Sequence, residues 1–196
     1  MKNSAYYIIN GITLYRTVTA PVLILLIILD KPEIFKWLLV ASFFTDAIDG
    51  WLARRFHITS LLGARLDSMG DDLTVFVSIV AMLVWKGDFM NQHTKALIFL
   101  AILFFIQVST AYVRYGKMTC FHTYLAKIAA VCQGVFLILS FFLSSPLNIL
   151  FYLAIGITAL ELVEETILVM ILPEWKINVK GLYWIVKNKS QAKLYN

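Results

Sequence analysis

Long apolar stretches fill most of this chain, and the places where charge or proline interrupts them set out its elements. Residues 1–10 mix Lys2 with Tyr6, Tyr7, Ile8 and Ile9, which predicts a short interfacial helix with tyrosines in the headgroup layer and isoleucines at the acyl boundary. Residues 11–29 form the first segment long enough to span a bilayer; Arg16 lies near its start, Pro21 is a point where a helix can kink, and Asp30, Lys31, Pro32 and Glu33 end it. A second helix is expected over 34–56, although its uncharged part, 37–45, falls far short of the ~20 residues a bilayer requires. A third is expected over 66–85, uncharged from 73 onward. Residues 86–95, with Gly87, Asp88 and His93, predict a loop. The uncharged run 96–113 predicts a fourth helix, closed by Arg114, Tyr115, Gly116 and Lys117. Beyond it Ser144, Ser145 and Pro146 split a long apolar stretch into helices at 124–143 and 147–172. The expected fold is all-α, a polytopic membrane protein with six transmembrane helices. The tail 174–196 alternates Trp175, Ile177, Tyr183, Trp184 and Ile185 with lysines, which predicts a segment lying on the membrane surface.

Composition agrees with that pattern. With 196 residues, 60% hydrophobic and 15% charged, and a mean hydropathy of +0.79, the chain is too apolar for a soluble domain and reads as a single membrane domain over 1–196. Residues 1–10 lack an apolar core followed by a small-residue cleavage site, so the first hydrophobic segment is expected to stay in the mature protein. Cys120 and Cys132 form no metal or redox motif and read as reduced thiols in the bundle. The net charge of +5 is spread over loops and tail, which favours anionic lipid over nucleic acid as a partner.

Charge concentrates in one place. Between residues 46 and 72 lie Asp46, Asp49, Asp67, Asp71 and Asp72, five of the chain's twelve acids. If both flanks of Gly63 are helical, Asp46, Asp49, Gly50 and Ala53 share a face at i, i+3, i+4 and i+7, and Asp67 and Asp71 share one at i, i+4. Carboxylates that converge in an apolar bundle repel and are costly to desolvate, so protons or cations must neutralise them. Four carboxylates balance two divalent ions, and hard oxygen donors suit Mg²⁺ or Mn²⁺. Gly50 beside Asp49 leaves room for a phosphate or a backbone to come close. A paired-metal site of this kind clamps the attacking and leaving oxygens of a phosphoryl displacement. The plainer alternative is a helical hairpin whose aspartates cap helices and pair with Arg54, Arg55 and Arg65.

The spacing D-x2-D-G-x2-A-R-x8-G-x3-D-x3-D, from Asp46 to Asp71, resembles the signature of the CDP-alcohol phosphotransferase (phosphatidyltransferase) family at all eight fixed positions. The resemblance implies a six-helix membrane enzyme of phospholipid synthesis, usually a homodimer, that moves a phosphatidyl or related group from a CDP-linked donor to an alcohol and releases CMP. It implies that Asp46, Asp49, Asp67 and Asp71 hold two metal ions, with Asp71 as general base. Gly50, Ala53 and Gly63 would border the cytidine diphosphate pocket, and Arg54 would serve the nucleotide or the fold. Asn10, Thr13 and Arg16 fit N-x2-T-x2-R, which resembles the start of the phosphatidylglycerophosphate synthase branch, and Arg16 could reach the donor phosphates or simply anchor its helix. The first-choice substrates are therefore CDP-diacylglycerol and glycerol 3-phosphate; inositol phosphate, serine or another alcohol are the alternatives. In place of the Arg-Glu pair that branch often carries in its fourth helix, this chain has Ser109, Thr110, Ala111, Tyr112, Val113 and Arg114.

Other charges are weighed against this frame. With six spans, thirteen Lys and Arg fall on the side holding the termini, the aspartates and the 114–127 loop, against four opposite, which orients that side to the cytoplasm. Arg114, Lys117 and Lys127 gather there as candidate acceptor-binding cations, or as ordinary positive-inside bias. His122 and His57 could touch phosphate but fit spectator roles. Glu161, Glu164 and Glu165 share a side of the sixth helix, where a structural pairing with a basic residue is the simpler reading. The rival class is an ion-coupled transporter or a membrane scaffold, in which the aspartates would carry protons or cations.

Overall fold

A computed structural model describes residues 19–56 and 61–187, with side chains throughout except at 46–47, 49–56 and 61–69. The expected interfacial helix, Asn10, Thr13, Arg16 and His57 lie outside the described residues.

The described chain is helical, without strands. Its helices are α1 (Thr19–Ile28), α2 (Pro32–Phe56), α3 (Leu61–Trp85), α4 (Gly87–Gln92), α5 (Thr94–Tyr115), α6 (Tyr124–Phe142) and α7 (Asn148–Ile171). Among the described residues α5 and α6 are long and apolar enough to cross a membrane, and α1 is a shorter apolar helix. α2 and α7 have the length, at 25 and 24 residues, but Lys36, Asp46, Asp49 and Arg54 interrupt one and Glu161, Glu164 and Glu165 the other.

Two expectations are corrected. α3 begins at Leu61 and not near 66, because Leu61, Leu62, Ala64, Arg65 and Leu66 are all strong helix formers opposed only by Gly63. The stretch 86–95 is not simply a loop: α4 forms within it, with Asp88 in its first turn, where the helix dipole favours a carboxylate, and Met90 buried at 2% exposure.

The chain divides into two compact units. One comprises Met1–Gln92 and Gly134–Leu147. Its core joins Leu23 and Leu26 of α1, Phe35 and Leu39 of α2, and Val77 and Ala81 of α3, with Trp85 and Phe141 packed against them. Phe35 meets the Trp85 and Phe141 rings edge-on, at centroid distances of 5.1 and 5.0 Å. Around this cluster the Trp85 indole donates to Asp30 (2.8 Å), and the Lys86 ammonium donates to the Leu143 and Ser144 carbonyls, 2.9 Å each, at the end of α6.

The other unit comprises His93–Gln133 and Asn148–Asn196. Here α5 and α7 pack through Ala111, Leu168 and Val169, joined by Phe121, Leu172 and Val179. α5 ends on Gly116, whose left-handed φ of 66° suits a residue without Cβ and whose N–H returns to the Tyr112 carbonyl. The last carbonyls of α7, which have no partner within a helix, are met from α5: the Tyr115 hydroxyl donates to Val169 (3.2 Å) and Leu172 (3.0 Å). The described part of the tail packs against the α5–α6 connection. Asn178 and Val179 donate to the Cys120 and Phe121 carbonyls (3.3 and 2.7 Å), and the Trp175 indole donates to the Met118 carbonyl (3.0 Å). Cys120 is buried and Cys132 half-buried, both outside any disulfide.

Candidate functional site

The aspartate-rich stretch runs along two continuous helices of the first unit, as its spacing requires. α2 carries Asp46, Asp49, Gly50, Ala53 and Arg54, and α3 carries Gly63, Asp67 and Asp71. Both helices are rooted in one apolar cluster, α2 through Leu39 and α3 through Val77. At 1.5 Å of rise per residue, Asp46 stands ~10 Å along α2 from Leu39, and Asp71 ~9 Å along α3 from Val77. By the same count Asp49 and Asp67 each stand ~15 Å from those anchors.

The residues flanking this stretch are adapted to an apolar setting. Thr45, immediately before Asp46, donates its hydroxyl to the carbonyls of Ala41 (2.8 Å) and Ser42 (2.9 Å). On α3 the Thr74 hydroxyl donates to the Gly70 carbonyl (2.9 Å) and the Ser78 hydroxyl to the Thr74 carbonyl (2.8 Å). Each hydroxyl is satisfied within its own helix and makes no demand on neighbours. Asp71 is half-buried and engaged by a neighbour, whereas Asp72 stands exposed. The side chains of Asp46, Asp49, Arg54 and Asp67 lie outside the description. Among the described residues no three His, Cys, Asp or Glu side chains converge as metal ligands. The donor chemistry of the four positions, all hard carboxylates on α2 and α3, fits divalent ions of the Mg²⁺ or Mn²⁺ kind.

The expected acceptor-binding cations belong to the second unit, and each has a local contact. Arg114 donates from Nε (3.2 Å) and Nη2 (3.1 Å) to the Leu172 carbonyl, helping to close the end of α7. The Lys117 ammonium lies 4.0 Å from the centre of the Trp175 ring, and that of Lys127 lies 5.2 Å from Tyr124. His122 holds a left-handed φ of 50° in the connection between α5 and α6.

Two of the three α7 glutamates accept hydrogen bonds from neutral groups, partners that spacing alone did not reveal. Glu165 Oε2 accepts from Gln107 Nε2 (2.8 Å) and from the Thr119 hydroxyl (2.7 Å), and Gln107 also donates to Thr119 (2.7 Å). Glu164 Oε1 accepts the Leu182 N–H at 2.9 Å, while its Oε2 is buried without a hydrogen-bond partner. The available signal was Gln107, a lone amide in an otherwise apolar run.

Comparison with known proteins bears on the same stretch. A family model described as CDP-alcohol phosphatidyltransferase matches residues 6–163. The chain is similar to a CDP-diacylglycerol–inositol 3-phosphatidyltransferase of Arabidopsis thaliana, 33% identical over 102 residues, 52% of this chain and 42% of that protein. It is similar to a Saccharomyces cerevisiae protein of the same description, 39% identical over 66 residues, 34% of this chain and 30% of that one. A CDP-diacylglycerol–glycerol-3-phosphate 3-phosphatidyltransferase of Pseudomonas fluorescens is 36% identical over 84 residues, 40% of this chain and 42% of its own. The matched stretches thus cover less than half the length of each of these relatives. No solved structure matches the chain significantly.

Proposed function

Because the chain belongs to the CDP-alcohol phosphatidyltransferase family, we propose that it transfers a phosphatidyl group from CDP-diacylglycerol to an alcohol and releases CMP. The observation that carries this reading is the complete eight-position motif laid along α2 and α3, two helices anchored in one core.

Asp46, Asp49, Asp67 and Asp71 would hold two divalent cations. Bound there, Mg²⁺ or Mn²⁺ would neutralise the charge of the donor pyrophosphate and of the departing CMP. Asp71 takes the proton from the acceptor hydroxyl, whose oxygen attacks the phosphorus bonded to the lipid; the bond from that phosphorus to the CMP oxygen breaks. Gly50, Ala53 and Gly63 keep the helix faces low where the nucleotide lies, and Arg54 and Arg16, with Asn10 and Thr13, complete the donor side. Positioning and charge neutralisation supply most of the rate, as in other phosphoryl transfers. Arg114, Lys117 and Lys127 are the candidate cations for an anionic acceptor, with Arg114 also closing α7. The apolar helices α5 and α6 and the family support a membrane setting. On this reading the chain makes six spans in a cell membrane, with both termini and the motif on the cytoplasmic side, in a homodimer with no nucleic-acid partner.

Glycerol 3-phosphate is the proposed acceptor, in keeping with the N-x2-T-x2-R start and the Pseudomonas relative. A second reading, inositol, is favoured by the Arabidopsis and Saccharomyces relatives. CMP release from CDP-diacylglycerol, measured in purified protein against glycerol 3-phosphate, inositol, inositol phosphate and serine, separates them. Asp71→Asn is expected to lower CMP release about 10²–10⁴-fold, the usual range for a lost general base, without unfolding the protein. Undiminished turnover in that variant refutes the base assignment, and no CMP with any acceptor refutes the enzyme.

A further inference from the structure

The C-terminal segment turns one face inward and another outward. Inward, Leu182 and Ile185 pack on the core that α5 and α7 share. The segment is pinned there by Glu164, which accepts the Leu182 N–H, and by Gly181, whose φ of 139° and tight approach to Glu164 leave no room for a side chain. Outward, Tyr183, Trp184 and Val186 are 64%, 40% and 53% exposed, too much apolar surface on one short stretch to face water without a partner.

These rings join a larger surface. Tyr124, itself half-exposed, lies 5.2 Å from Trp184, and Trp184 lies 5.4 Å from Tyr183. Cations stand over two of the rings, Lys127 over Tyr124 at 5.2 Å and Lys187 over Tyr183 at 5.8 Å. The Lys180 carbonyl accepts the Tyr124 N–H at 3.3 Å, which brings a third lysine to the edge. Tyr124 is also the first residue of α6, a helix fit to cross a membrane, and α5, the other such helix, ends at Tyr115, eight residues from the start of α6 by way of the connection that the segment braces. Over 114–127 and 173–187 six Lys and Arg stand against one acid, Glu174.

We propose that Tyr124, Tyr183 and Trp184, with Lys180 and Lys187, form a docking face for the headgroup layer of an anionic phospholipid bilayer. Amphipathic rings at the end of a spanning helix match the polarity gradient of that layer, and ammonium groups among them match lipid phosphates. The anionic preference follows from the six-to-one charge count. The inference rests on the membrane-embedded part of the proposed function and is independent of its chemistry.

The test uses the full chain in nanodiscs, with Trp184→Phe subtracted from wild type to isolate one of the five tryptophans. Trp184 emission should be quenched by phosphatidylglycerol brominated near the carbonyls, more strongly than by phosphatidylcholine brominated at the same depth, and little by aqueous acrylamide. Lys180→Gln and Lys187→Gln should each reduce the phosphatidylglycerol preference by roughly fivefold or less, the enrichment one surface cation brings, and high salt should reduce it in wild type. Protection of the buried Cys120 thiol checks that each variant is folded. Quenching by acrylamide alone, quenching by neither agent as a covering protein copy would give, or equal quenching by both lipids overturns the proposal. CMP release from the same nanodiscs reports the transferase reading separately.

Discussion

Gln107 offers the sharpest test of what holds the second unit together. It is 4% exposed in the middle of an apolar helix, and its amide donates to both Glu165 and Thr119, joining α5, α7 and the start of the α5–α6 connection. Gln107→Leu keeps the volume and removes both bonds. Hydrogen bonds between membrane helices average ~0.6 kcal/mol and reach ~1.7, so two contribute about 1–3 kcal/mol. Glu165 is 8% exposed, and withdrawing a donor from a buried carboxyl adds a penalty of the same order, about 1–3 kcal/mol. Together these give about 2–6 kcal/mol, which corresponds to a midpoint lower by about 4–24 °C in a chain of this size. The readout is the thermal exposure of Cys120, buried beside Thr119, to a thiol-reactive fluorophore in detergent, in a Cys132→Ser background. Ser109→Leu, at an exposed position on the same helix, is the control and should not move the midpoint. A Gln107→Leu midpoint within about 1 °C of wild type, or an equal fall in the control, refutes the network as a stabilising element.

Three further outcomes are expected. Phe35→Ala, which empties a fully buried position contacted by Trp85 and Phe141, should cost about 3–5 kcal/mol, and a loss under about 1 kcal/mol in reversible unfolding would contradict the packing. Gly181→Ala places a Cβ 3.0 Å from Glu164 Oε1 at a φ of 139°, so it should destabilise by about 1–3 kcal/mol and speed proteolysis of the C-terminal segment; unchanged cleavage would show that the segment is not pinned at this point. Chelation should abolish CMP release and Mg²⁺ or Mn²⁺ should restore it, whereas turnover that persists in chelator removes the paired-ion reading.

Which features the sequence discloses depends on the range over which they act. α5 and α6 are legible because an uncharged run about the length of a bilayer has few other folded states, and their expected ends differ from the observed ones by two residues or fewer. The aspartate spacing is legible for a similar reason: helical periodicity is local, so Asp46 and Asp49 on α2 and Asp67 and Asp71 on α3 declare their faces before any packing is known. α4 is not legible, because six residues with one buried Met90 give no periodicity, and its place is set by the tertiary site that receives that methionine. Gln107 and Glu165 are 58 positions apart, and nothing local pairs them; an amide and an acid in apolar helices signal only that each must find a partner.

The tail shows the same limit of range. Alternating aromatics and lysines describe a surface correctly, and Tyr183, Trp184 and Lys187 are indeed exposed. The alternation is silent about the other face, which Leu182 and Ile185 commit to the core, because a short amphipathic stretch looks the same whether protein or lipid covers its apolar side. The inward face is fixed from far away in sequence by Glu164, whose position on α7 gives the Leu182 N–H an acceptor within the protein, which acyl chains could not provide. A backbone donor in an apolar setting must be met, and the one carboxylate within reach of this turn decides which face turns inward.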